Sequence, residues 1–162
     1  MTHYLDILSA FVAETTYDDL SYQALDAVKD VVLDTIGAIV AGSRLPENRS
    51  LARLANQRSG TYTSTILGHK LKAEPMMSTL VNATAGVALE MDEGNRFGGG
   101  HPAIHSIPGS LAISEELGVN GKSFIESVLV GYELESRIGG ATIAKDNVHS
   151  HGHWGTIGTA VA

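Results

Sequence analysis

Five of the seven histidines in this 162-residue chain, His101, His105, His149, His151 and His153, lie after residue 100, and only His3 and His69 lie before it. They fall in two glycine-rich stretches, Glu90 to His105 and Val148 to Gly155. Imidazole is the side chain whose ordinary pKa lies closest to neutral, and it is also a good ligand for Zn, Ni and Cu. A cluster of this kind can therefore move protons or hold a transition metal.

In Val148-His-Ser-His-Gly-His-Trp-Gly155 the three histidines alternate, and alternate side chains of an extended backbone share one side. Three arrangements satisfy that pattern. His149, His151 and His153 form a metal site with His101 or His105 as a further ligand. One or two of them act as acid/base groups with Asp92 on a carboxylate substrate. Or Gly152 breaks the extended run, and the imidazoles hydrogen-bond in the interior.

The first stretch reads Glu90-Met-Asp-Glu-Gly-Asn-Arg-Phe-Gly-Gly-Gly-His-Pro-Ala-Ile-His105. Asp92 and Glu93 follow a small-residue helix closely, and a negative charge at a helix C-terminus opposes the helix dipole. A placement that costs stability points to use. Arg96 has the fork that grips a carboxylate with two bonds. The competing reading is a solvated loop with a weak surface ion pair.

Helices must position these loops. Tyr4, Leu5, Ile7, Leu8, Phe11 and Val12 recur at helical spacing behind Thr2, a candidate N-cap, and Thr15 to Asp19 breaks that helix. A longer helix runs from Ser21 to Gly42 and becomes apolar all round, so its second half is expected to be buried. Pro46 opens a third helix to Arg58, and Thr61 to Leu67 is expected as an extended connector. A fourth helix follows Pro75 to about Glu90, with Ala83, Ala85, Gly86 and Ala88 allowing a close neighbour. Ile107 to Leu117 is a fifth. A sixth begins at a Ser123 cap and is ended by Gly139-Gly140, and Trp154 to Ala162 begins a small-residue helix.

Eleven Lys plus Arg against eighteen Asp plus Glu give a net charge of −7, so there is no basic field for nucleic acid or an anionic membrane. No cysteine is present, which excludes disulfides, thiolate metal sites and a cysteine nucleophile. The longest apolar stretch, Val31 to Ala41, is interrupted by Asp34, Thr35 and Gly37, and the N-terminus lacks a basic segment before an apolar core. A cytoplasmic protein without a membrane span is expected. Only 18% of residues are charged, against about 25% in an average domain, so more surface should be covered than one small domain covers.

At these residues the chain resembles the MmgE/PrpD family, which includes 2-methylcitrate dehydratase, cis-aconitate decarboxylase and iminodisuccinate epimerase. The resemblance rests on Leu33-Asp34-Thr35-Ile36-Gly37 with Ala41-Gly42, Leu80-Val81-Asn82-Ala83-Thr84 before Met91-Asp92, and His101-Pro102. Gly131-Tyr132-Glu133 with Arg137-Ile138-Gly139, and Gly155-Thr156-Ile157-Gly158, complete it. It implies an all-α, multi-helix bundle in which residues 1–162 are the front part of the family's helical domain. On this expectation the chain is truncated, lacking the family's mixed α/β lid domain and later lysines.

Carried over by position, the resemblance makes Asp92, His101 and His149 catalytic. It places Asn95 and Arg96 in a substrate-facing loop, where many members have an acid and a hydroxyl, and His151 is expected to bind substrate beside them. The function it implies is a 2-methylcitrate dehydratase-like lyase. Such an enzyme acts on a small di- or tricarboxylate by proton transfer without metal or other cofactor, as a homodimer, and would be inactive as this fragment. The alternatives are a decarboxylase or epimerase of the same family, or a His-rich metal-binding helical module without catalysis.

Overall fold

Helices in this chain start where a side chain or a proline deals with the unpaired amides of the first turn. A computed structural model describes residues 3–162. Among them are seven helices: α1 (Tyr4–Glu14), α2 (Tyr22–Gly42), α3 (Pro46–Arg58), α4 (Pro75–Val87), α5 (Pro102–Leu117), α6 (Gly121–Gly140) and α7 (Trp154–Val161). Ser21 Oγ accepts from Ala24 N at the start of α2, and the Glu74 carboxylate accepts from Met76 N and Met77 N at the start of α4. Pro46, Pro75 and Pro102 each occupy a first-turn position, where a missing N–H costs nothing.

Several element boundaries differ from the sequence expectation. Thr2 lies outside the described residues, and the His3 side chain caps α1 by accepting from Leu5 N. The expected connector forms an antiparallel hairpin of β1 (Ser64–Ile66) and β2 (Leu71–Ala73), paired from Ser64↔Ala73 to Ile66↔Leu71. Three-residue strands are too short to show an alternating pattern. Helix α5 begins at Pro102, five residues before the expected start, and carries Pro108 in its interior. The α6 cap is Asn120, whose Oδ1 accepts from Lys122 N and Ser123 N, and not Ser123. In the second half of α2, Thr35, Ile39 and Gly42 are buried, but Leu33 is 71% exposed, so the burial is one-sided.

Packing is sequential. Helix α4 lies against α2 and α5, α6 against α5 and α7, and α3 with the hairpin closes the end of α4. Ala52, Ala55, Ile66, Ala73 and Val81 form one apolar cluster and Ile39, Ala85 and Ile104 a second. Ala103, Ile107 and Val128 form a third, against which Val28, Val32 and Tyr132 pack. Ala85 and Gly86 are buried as a close helix neighbour requires, with Ile39 and Ile104 filling the space a Gly86 side chain would take. No helix among the described residues is long and apolar enough to cross a membrane.

The glycine-rich loop before α5 is seated on α6. Helix α6 ends at Gly140, within the expected Gly139-Gly140 pair, and Gly139 meets the Gly98 carbonyl oxygen so closely that a methyl group there would collide with it. The indole N–H of Trp154 donates to Gly99 O at 3.1 Å and fixes the loop from the α7 side. Gly139→Ala is therefore expected to lower stability by about 1–3 kcal/mol through overpacking. Trp154 is the lone tryptophan, so its emission reports the loop directly. An unchanged urea midpoint with unchanged emission would show that the seat is not tight.

Candidate active site

The chain leaves α4 at Val87 and turns sharply at Glu90, a non-glycine residue in the left-handed region with φ of 51°. Backbone strain of this kind needs surrounding structure to hold it and often marks functional segments. The turn carries Asp92 beneath His101, the residue at the entrance to α5. His101 Nδ1 lies 2.8 Å from the Glu93 carbonyl oxygen and 3.1 Å from Asp92 Oδ2.

Glu93 does not sit against the C-terminal dipole of α4, as its place in the sequence suggests. Because α4 stops early, the Glu93 carboxylate reaches the N-terminus of α5, where Oε2 accepts from Ala103 N at 3.2 Å and the dipole favours it. Its Oε1 accepts the Tyr132 hydroxyl at 2.7 Å. Burial, with that bond next, raises the Tyr132 phenol above its ordinary range.

A single arrangement of protons fits His101. A carbonyl oxygen only accepts, so Nδ1 bears the hydrogen toward Glu93 and a neutral His101 keeps its lone pair on Nε2. The Asp92 carboxylate beside it stabilises the imidazolium that forms when Nε2 takes a proton. Asp92 Oδ2 is itself buried, and its 3.1 Å contact with His101 Nδ1 becomes an ion pair once His101 is protonated.

The second histidine loop comes alongside through a 3₁₀ turn, Ser150–Gly152, just before α7. His151 stacks on His101 with ring centroids 5.2 Å apart and planes 9° from parallel. It also stacks on His149 at 4.6 Å and 11°. His149 Nδ1 accepts a long bond, 3.4 Å, from the His151 backbone N–H, so a neutral His149 carries its hydrogen on Nε2. The two histidines thus present complementary groups, a free lone pair on His101 and an N–H on His149. Val87, Glu90, Asp92, His101, His149 and His151 line one open cleft of about 320 Å³.

Of the residues singled out from the sequence, Asp92, His101, His149 and His151 come together here. Asn95 and Arg96 do not line the cleft. Asn95 staples its own loop: Nδ2 donates to Tyr132 Oη and Ser136 Oγ, and Oδ1 accepts from Phe97 N and Gly98 N. Arg96 is exposed. His105, read from the sequence only as a possible metal ligand, lies directly behind His151, with Nε2 2.6 Å from His151 Nδ1.

The alternating metal site does not form. The 3₁₀ turn breaks the extended run, and His153 is exposed and turned edge-on to Trp154 at 5.3 Å. Among the described residues no three His, Asp or Glu side chains converge as ligands. A larger cavity of about 770 Å³ between α4, α5 and α7 is lined mostly by apolar and hydroxyl side chains such as Ile113, Leu117 and Ser114. Its one side-chain carboxylate, Glu74, is already committed to capping α4.

The profile of the MmgE/PrpD N-terminal domain matches residues 6–162. The chain belongs to the MmgE/PrpD family. It is similar to cis-aconitate decarboxylase of Aspergillus terreus, 26% identical over 145 residues that cover 86% of this chain and 30% of that protein. It is also similar to the cis-aconitate decarboxylase-like protein oryM of Aspergillus oryzae, 23% identical over 157 residues, 93% of this chain and 33% of that protein. The chain thus spans about a third of the length of the relatives it matches. For an MmgE/PrpD N-terminal domain the mostly helical architecture is the expected one, and the named relatives associate the family with decarboxylation.

Proposed function

We propose that this domain supplies the proton-transfer groups of a lyase acting on a small di- or tricarboxylate. The observation that carries the reading is the convergence of Asp92, His101, His149 and His151 on one cleft, where His101 keeps a free Nε2 beside the buried Asp92 carboxylate and His149 carries an N–H. Neutral imidazoles presenting these two groups can take a proton at one place and give one at another. In a decarboxylation the C–CO₂ bond breaks, its electron pair shifts into the substrate, and a proton is delivered to carbon. In a dehydration a C–H proton is taken and hydroxide leaves as water after receiving one.

The names of the relatives favour decarboxylation of a cis-aconitate-like substrate over dehydration of 2-methylcitrate. Neither reaction needs a group beyond imidazoles, carboxylates and cations that hold the substrate's charges. The test titrates the chain, ¹⁵N-labelled at histidine, with cis-aconitate, 2-methylcitrate and, as control, sulfate, and assays CO₂ and alkene formation with and without EDTA. Selective movement of the His101 and His149 ring signals by a tricarboxylate, with EDTA-resistant CO₂ release wherever turnover is seen, is the expected result. Equal response to sulfate, or activity that EDTA abolishes, would overturn the reading.

A further inference from the structure

Behind the cleft, His105 and His151 form an imidazole pair whose nitrogens are 2.6 Å apart. Two nitrogens at that distance share one hydrogen, because two N–H groups facing each other would clash and repel. His151 is also stacked with both the His101 and His149 rings, so a positive charge on it would sit against two further imidazoles.

The His105 ring is held firmly in place. Helix α7 passes so close that a methyl group on Gly155 would lie 2.6 Å from His105 Cε1, and Thr159 Oγ1 donates to the His105 carbonyl at 2.9 Å. His105 does not line the cleft, so it touches no substrate there.

We propose that His105 is a positioning residue that fixes the tautomer of His151 and makes His151 a neutral hydrogen-bond donor to a substrate carboxylate. The proposal rests on the carboxylate reading above and deepens it. A carboxylate only accepts, so His151 must present its N–H outward from Nε2. Its Nδ1 must then be the acceptor, and His105 Nε2 the donor.

The surrounding charges agree. His105 is faced by His151, His101 and His149 and, on the other sign, by Asp92. Burial first and these imidazoles second hold it down to about 4. His151 is faced by His149 and His101, with Asp92 and Glu90 opposing them, and burial leads its downward shift.

The test is NMR of the 162-residue chain labelled with ¹⁵N. It combines long-range correlations that read each ring's tautomer between pH 5 and 8 with a correlation across the N–H···N bond. The expected result is a scalar coupling between His105 Nε2 and His151 Nδ1, His151 in the Nε2–H form, and a His105 that does not titrate in this range. His105→Phe, which keeps a ring but loses the donor, should let His151 populate both tautomers and weaken cis-aconitate binding about five- to tenfold. His105→Gln, whose amide can donate, should restore the Nε2–H form.

A wild-type His151 that already mixes tautomers, or one unaffected by His105→Phe, overturns the proposal. If His105→Phe fails to fold, the coupling in the wild-type chain still decides. Coupling and tautomer shift without any carboxylate binding would support the positioning role and count against the carboxylate reading. Binding with a mixed wild-type tautomer would do the reverse.

Discussion

Carried in a polypeptide that spans the full length of the family's enzymes, His101→Ala is expected to lower turnover of the carboxylate substrate by about two to four orders of magnitude while helical circular dichroism stays unchanged. The size follows from the role. Its Nε2 is the free base of the cleft, and Nδ1 is already committed to the Glu93 carbonyl, so no other ring there offers the same lone pair in the same place. His101→Asn separates proton transfer from structure, because its amide can still donate toward Glu93 but cannot take a proton at pH 7. Asp92→Asn should give a loss in the same range, since it removes the charge placed beside the imidazolium and leaves the volume unchanged. Near-normal turnover in either His101 variant would remove His101 from the chemistry, and in Asp92→Asn it would remove Asp92.

The other large effect is expected on stability. Glu135 is fully buried, neither of its carboxyl oxygens has a hydrogen-bond partner, and it is pressed against Gly158 of α7. Burial, with the charge of Glu93 next, pushes its carboxyl up to about 7, from 4.5. Between those values the folded chain keeps a proton that the unfolded chain releases, so stability falls as pH rises through this window and is level outside it. The total loss is on the order of 3 kcal/mol.

Glu135→Gln is neutral at every pH and should cancel that slope. It is expected to match the wild type near pH 5 and to exceed it by on the order of 3 kcal/mol at pH 8, read from urea unfolding at the two pH values. An equal change at both pH values would show that ionisation of Glu135 is not what matters.

Both effects arise where glycines let α6, α7 and the first histidine loop approach one another. Gly139 admits Gly98, and Gly158 admits Glu135. The same closeness that builds the cleft leaves a carboxyl group buried without a partner beneath it, a cost the surrounding packing has to offset.

Most helices were legible along the chain because their signals are local. Apolar spacing marked α1 and α2, prolines at the first turn marked α3 and α4, and a glycine pair marked the end of α6. The hairpin was not legible, because Ser64–Ile66 and Leu71–Ala73 are held by α3, α4 and α5 rather than by their own pattern. Nor was the early end of α4. Ala88 to Glu90 continue a helix-compatible composition, and only the docking of the next loop turns the chain there. That misplaced end inverted the electrostatics of Glu93, from a group opposed by one helix to a group favoured by the next.

The sequence by itself determined that this chain is a mostly helical member of the MmgE/PrpD family whose imidazoles and acids are concentrated in two loops, because residue type, spacing and order suffice for that. Tertiary structure decided which of those groups can work together. It brought His105 and His151 into contact across 46 residues, set His101 over Asp92, and turned Arg96 and His153 outward. The reason is physical: a tautomer, a desolvated carboxylate or a stacked ring is a property of what surrounds a side chain, and residues distant in the chain supply those surroundings.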